Sequence, residues 1–516
     1  MTDLDRLRSK AAGLLVVRLG SNMKPPRRAE EDAVGVAGLL DRYPIGGVIL
    51  FNGTWPETRA TLIGLQRRAA RPLLVMTDME RGLGQQVAGA TMFPHAAAFG
   101  ALDDAEEAVE RFARAGAREA LACGVHVTFS PVADVNRNPD NPIISTRAFG
   151  DEPEPVAALV AAYVRGCRAE GLLSTAKHFP GHGNTTEDSH AVLPTVSDSR
   201  DVLERTDFVP FRAAIEAGCE LVMTAHVAYP ALDPSGRPAT LSAPILQGLL
   251  RDELGFEGVV ISDSLHMGGI QSEGQSEVDL AIEQVRAGVD LLLDAQDPAA
   301  IIEGLAAAVE RGDLDEAVLD RALARADRLR DRLTDRFGAD VFTEPGEAVA
   351  ASEVGAEEHA WLATRTARHA VTGDAVRFET GEGLLAVLVK PHASHLDPPE
   401  QPLGAALRAA LPGVTYREVG PGTDADARAA IVEEARAAQR VLVALVVKPA
   451  AWHAFGLPPE QQAFVEALVG AQPAVVASLG SPRVLEDFVG AAGRLCTFSD
   501  APVAQRALAD VLAGDA

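Results

Sequence analysis

The chain has 516 residues, of which 47% are hydrophobic and 23% charged, and a formal net charge of -26. That length calls for two or three domains, and the acidic balance argues against a nucleic-acid groove or an anionic membrane surface, since both select for Lys and Arg. The four cysteines, Cys123, Cys167, Cys219 and Cys496, form no CxxC pair, which argues against a disulfide framework or thiolate zinc site and fits a reducing, cytoplasmic location.

In chain order, the opening MTDLDRLRSKAAGLLVVRLG carries acids early and has only a short apolar run, so it does not read as a signal peptide. No later stretch reaches the ~18 uninterrupted apolar residues of a membrane helix. Short apolar runs then recur: LLVVRLG (14–20), GGVILF (46–51), LLVMTD (73–78), VHVTFSPVADV (125–135), LLSTAKHF (172–179), LVMTAHV (221–227), GVVISDS (258–264) and DLLLDA (290–295). Amphipathic stretches such as EPVAALVAAYVRGCRAEG lie between them. Buried strands alternating with helices indicate parallel βα units. Eight such runs predict a (β/α)8 barrel of TIM type, with a doubly wound open sheet as the alternative. The barrel is favoured because Asp78, Glu80, Asp134, Lys177, His178, His226 and Asp263 all fall at the C-terminal ends of runs. In a barrel those ends converge on one mouth.

This reading assigns residues 1–337 to the barrel and 338–356, acidic and rich in Gly and Pro, to a linker. Residues 357–516 form a smaller α/β sandwich domain with a mainly parallel sheet, its strands near 384–390, 414–420, 440–448, 474–480 and 495–500. WHAF (452–455) follows a strand end there, and no catalytic residue is evident in that domain.

The chemistry concentrates in KHFPGHGNTTEDSH, residues 177–190. As a metal site it offers His178, His182, His190 and Asp188, but Pro180, Gly181 and Gly183 rule out the helical HExxH spacing. As a phosphate cradle it lacks GxxxxGK[ST]. As a proton-transfer device, Asp188 can accept the Nδ1–H of His190 and leave Nε2 for substrate. Asp263, at the end of GVVIS, is either a nucleophile facing the mouth or the N-cap of the next helix.

Four motifs in order, DVNRNPDNPIISTRAFGDEP, KHFPGHGNTTEDSH, MTAHVAYPALDP and VVISDSLHMGGI, resemble family 3 glycoside hydrolases, in particular the β-N-acetylglucosaminidase branch. The resemblance runs from about residue 14 to 335 and continues more weakly through VVASLGSP (475–482). It implies a retaining mechanism. On that pattern Asp263 is the nucleophile and His190 the acid/base, with Asp188 orienting it. Asp78, Arg147, Lys177 and His178 hold sugar hydroxyls, and His226 lines the pocket or braces the nucleophile. Asp134 and Asn136 shape the following loop, and Gly181 and Gly183 give the D-S-H loop a hinge. The chain departs from the branch's D-x-E-G-G-R at Arg81 and Leu83, in the region expected to meet the aglycone. The substrate implied is a small carbohydrate, terminal GlcNAc on cell-wall fragments, with no metal and no cofactor. A phosphorylase using phosphate as acceptor, a family 3 β-glucosidase, a metal-dependent barrel hydrolase and a non-catalytic sugar binder are the competing readings. Oligomeric state is not legible in the sequence.

Overall fold

Eight parallel strands make the first sheet: β1 Leu15–Leu19, β2 Gly47–Leu50, β3 Leu74–Thr77, β4 Val127–Thr128, β5 Leu173–Phe179, β6 Leu221–Thr224, β7 Val259–Ile261 and β8 Leu292–Leu293. The order is β8-β1-β2-β3-β4-β5-β6-β7, and a parallel bridge from Ile261 to Leu291 brings the two edges together as a barrel. The strands are those the apolar runs predict. β4 is shorter than its run because Pro131 has no N–H to donate, and pairing resumes at a bridge between Val132 and Lys177.

The computed structural model describes residues 2–270, 275–344, 349–379, 381, 383–394 and 397–514. Of the linker expected over 338–356, residues 345–348 lie outside the described residues. The inward-facing side chains Val16, Ile49, Leu74, Met76, Val127, Leu173, Leu221, Val259 and Leu293 form one buried cluster with Leu329, Leu333, Val341 and Phe342. The helix Glu316–Phe337 thus floors the barrel at the end away from the C-terminal strand ends. Arg330 on that helix is buried and donates to the carbonyls of Pro72 and Gly46, each at 2.7 Å.

The second sheet contains β9 Thr372–Gly373, β10 Leu384–Val389, β11 Thr415–Val419, β12 Arg440–Leu445, β13 Ala474–Ser478 and β14 Gly493–Cys496. Their order is β9-β14-β13-β12-β10-β11. Only β9 runs antiparallel, against β14, and apolar clusters cover both faces.

The chain divides into two compact units that are not consecutive in sequence. The first comprises 1–91, 109–137 and 151–359; the second comprises 92–108, 138–150 and 360–516. Two segments that leave barrel strands therefore belong with the second sheet. Within that unit His95 Nδ1 lies 2.9 Å from Ser499 Oγ, and Ile143, Ile144 and Ala148 pack against Ala451.

Candidate active site

The polar side chains of the first unit gather where strands end. Asp78 directly follows β3, Lys177 and His178 lie in the last turn of β5, and His226 and Asp263 stand two residues past β6 and β7. Lys177 is buried, its ammonium 2.7 Å from Asp78 Oδ1 and 2.7 Å from Glu80 Oε1. Two carboxylates fix the ammonium in place. Asp78 is the more open of the pair, with 27% of its side chain exposed against 10% for Glu80, so it can also accept from a ligand hydroxyl.

Asp134 is fully buried and organises the start of the loop after β5. Its carboxylate accepts from the backbone N–H of His182 at 2.6 Å and of His178 at 3.2 Å, and lies 2.8 Å from His178 Nδ1. His182 turns both ring nitrogens to hydroxyls, Thr185 Oγ1 and Ser189 Oγ, each at 2.9 Å. The three histidines of the stretch therefore have separate tasks. Among the described residues no group of three His, Cys, Asp or Glu side chains could hold a metal ion.

Asp188 and His190 form a compact pair. Asp188 Oδ1 accepts the backbone N–H of His190 at 2.9 Å and lies 2.7 Å from its Nδ1. A carboxylate there selects the tautomer with Nδ1 protonated. The segment is fastened to the loop that follows the nucleophile candidate: Gly268 N–H donates to the His190 carbonyl and Gly269 N–H to the Ser189 carbonyl, each at 3.0 Å. A Cβ at Gly268 or Gly269 would stand 2.7 Å from the Ala191 or Ser189 carbonyl oxygen. Only glycine permits that approach.

The glycines expected to give this loop a hinge, Gly181 and Gly183, are closely packed. Gly181 has φ +136° and presses against the Asp207 side chain, and a Cβ at Gly183 would lie 1.7 Å from the Val135 carbonyl oxygen. Both are close-packing positions. Beyond them, Arg137 holds Asp198 at 2.6 Å and Asp207 at 2.7 Å, while Asn184 donates to Asp198.

Asp263 Oδ1 accepts the backbone N–H of Ser264 at 2.7 Å. Burial opposes its ionisation, but the nearby imidazoles of His226, His178 and His190 and the Ser264 N–H outweigh it and hold the carboxyl below its usual range. Burial in turn lowers the pKa of His226. His226 Nε2 donates to the Ser264 carbonyl at 3.2 Å, and Nδ1 lies 2.8 Å from Thr240 Oγ1. Of the two roles foreseen for His226, these bonds fit bracing of the backbone just after Asp263, at the Ser264 carbonyl.

Arg147 falls in segment 138–150, which groups with the second unit; its Nη1 donates to the Ile143 carbonyl at 2.9 Å. The other candidates, Asp78, Lys177, His178, Asp188, His190, His226 and Asp263, all lie in the first unit. Sequence reasoning passed over Asp294, just beyond β8, although its position at the end of DLLLDA carried the same strand-end signal. Asp294 is buried, accepts from Arg18 Nε at 2.7 Å and from Ser264 Oγ at 2.8 Å, and so touches the residue next to Asp263. Thr240 gave no signal, because its role depends on a tertiary contact.

With this geometry in view, the similarities can be placed. The chain is 34% identical over 406 residues to beta-hexosaminidase A of Pseudoalteromonas piscicida, a match covering 72% of this chain and 66% of that relative. It is 38% identical over 279 residues to a beta-hexosaminidase of Xylella fastidiosa, covering 50% and 82%. The solved structure of a glycoside hydrolase family 3 beta-N-acetylglucosaminidase from Paenibacillus sp. str. FPU-7 superposes with a TM-score of 0.87 at 32% identity, covering 98% of this chain and 96% of that one. Residues 6–329 match the description of the glycosyl hydrolase family 3 N-terminal domain. A barrel of this topology, a second parallel-sheet unit and a match over that span together mean that the chain belongs to glycosyl hydrolase family 3.

Proposed function

We propose that the protein is a retaining exo-β-N-acetylglucosaminidase that releases terminal GlcNAc. Asp263 attacks the anomeric carbon as a carboxylate and forms a glycosyl ester while the aglycone leaves. His190 donates its Nε2 proton to the departing oxygen, then takes a proton from the water that opens the ester. Asp188 keeps the imidazole oriented and stabilises its cationic form. Asp78, Lys177 and His178 bind the hydroxyls of the terminal sugar, and His226 keeps the nucleophile's backbone in place.

The observation that carries the reading is the Asp188–His190 pair, tied through two backbone hydrogen bonds to the loop that follows Asp263. Acid and nucleophile then share one local framework. The names of the most similar relatives support GlcNAc as the sugar. Cell-wall fragments as substrates and a cytoplasmic location belong to the same proposal, the latter in keeping with four buried free thiols.

The decisive experiment is release of nitrophenol from the aryl β-GlcNAc glycoside by the native protein and by Asp263→Ala, each with and without phosphate. Loss of release in the variant is expected, and retained activity would overturn the assignment. Formation of GlcNAc 1-phosphate instead of free GlcNAc would make the enzyme a phosphorylase.

A further inference from the structure

Of the three imidazoles between residues 177 and 190, only that of His182 takes no part in the steps proposed above. It is nevertheless closely held. The side chain is buried, the backbone N–H donates to the buried Asp134 carboxylate at 2.6 Å, and the ring meets that of His178 edge-on at 5.9 Å. The hydrogen bonds around the ring have a definite direction. Thr185 Oγ1 donates to the His182 carbonyl at 3.1 Å, since a carbonyl can only accept. The single proton of that hydroxyl is thereby committed, and Thr185 Oγ1 accepts from His182 Nδ1–H at 2.9 Å. In the neutral ring Nε2 is then an acceptor, and the Ser189 hydroxyl, 2.9 Å away, donates to it.

Ser189 stands between Asp188 and His190 in the chain. It is buried and is gripped twice, at Oγ by His182 and at its carbonyl by the Gly269 N–H at 3.0 Å. A residue fixed at both side chain and backbone sets the directions in which its two neighbours leave it. Those neighbours are the carboxylate and the imidazole that meet at 2.7 Å, Asp188 Oδ1 to His190 Nδ1. The His190 side chain is 25% exposed, so the anchor beside it matters to where its Nε2 points.

We infer that His182 is a positioning residue for the acid/base: through Ser189 it holds the Asp188–His190 pair in the orientation that delivers the Nε2 proton to the leaving oxygen. The inference rests on the glycosidase reading above. A donated proton matters most when the departing oxygen is a poor leaving group. A misaligned acid therefore shows itself in the dependence on leaving group, whereas a general loss of packing slows every substrate alike.

The test compares kcat/KM, which reports formation of the glycosyl ester, for the phenyl and dinitrophenyl β-GlcNAc glycosides. Ser189→Ala and His182→Ala should each slow the phenyl glycoside about tenfold, the equivalent of one hydrogen bond, and leave the dinitrophenyl glycoside near native. The double variant should be no slower than either single one, because both remove the same bond. His182→Gln, whose amide reaches the place of Nε2, should restore the phenyl rate; His182→Asn, whose amide reaches only the place of Nδ1, should not. Where a His182 variant fails to fold, Ser189→Ala decides on the same two glycosides. Equal slowing of both glycosides, or of neither, overturns the inference. His190→Ala separates the two levels of the argument. If it slows the phenyl glycoside selectively while Ser189→Ala does not, the inference alone fails; if it slows both alike, the acid/base assignment fails and the inference with it.

Discussion

Asp263 is kept ionised by its surroundings against the tendency of its own burial. A buried carboxyl left alone would rise in pKa and stay neutral, and a neutral acid is a poor nucleophile. Three imidazoles and one peptide N–H reverse that tendency, and His226 steadies the backbone just beyond that N–H by donating to the Ser264 carbonyl. Thr240 stands behind His226 and meets Nδ1 at 2.8 Å. Removing its hydroxyl should free the ring to turn and loosen the backbone beside Asp263, the proposed nucleophile. Thr240→Val should therefore lower kcat about tenfold, the equivalent of one hydrogen bond, with KM little changed and Thr240→Ser close to native. Steady-state kinetics on the aryl glycoside would show this; an equal fall in Thr240→Ser would point to packing alone. The strand-end rule made Asp263, His226 and Lys177 legible in sequence; Asp294, at the end of DLLLDA, fits the same rule but was passed over. Thr240 stayed hidden because fourteen residues of chain separate it from its imidazole partner.

At the scale of elements, the loop after β5 is built as much by close approach as by hydrogen bonds. The three glycine contacts that matter most, at Gly183, Gly268 and Gly269, each bring a carbonyl oxygen within the space a methyl group would need. Gly183→Ala cannot be accommodated by a side-chain adjustment, since the obstacle is the Val135 backbone. It should destabilise the barrel unit by about 3 kcal/mol, in the range of severe backbone or overpacking changes; denaturant unfolding of the variant measures it, and a loss below about 1 kcal/mol would show that the loop yields instead. Sequence patterning located this loop and its titratable residues but did not show how closely its glycines are packed. Composition reports that glycine is required and is silent on whether the reason is freedom or tight packing. The strands were legible because apolar runs such as VVI and LVM are long enough to register, although β4 keeps only Val127–Thr128 of its run.

Across the whole molecule, the interior of the barrel holds a titratable group that serves no chemistry. His126 is fully buried, its Nδ1 accepts the Val75 N–H at 3.1 Å, and its ring meets Phe342 edge-on at 4.9 Å. Burial lowers its pKa from 6.5 to about 4. The unfolded chain therefore binds this proton at a higher pH than the folded one does. The stabilising contribution is complete above about pH 6.5 and is lost progressively as pH falls toward 4. Unfolding free energy should drop by roughly 2–3 kcal/mol across that window, and the drop should shrink in His126→Asn; identical pH profiles for the two proteins would remove His126 as its source. The two-unit plan was legible from the change of pattern after residue 316. The membership of 92–108 and 138–150 in the second unit was not, because nothing in their composition marks them as foreign to the barrel.

The flooring helix has a consequence for where a catalytic fragment could be excised. The family match stops at residue 329, yet Arg330, Leu333, Val341 and Phe342, which seal the underside, all come later. A cut at the end of the recognisable signature would leave the Gly46 and Pro72 carbonyls without their guanidinium and the lower core open to water. A barrel fragment must therefore extend at least through Phe342.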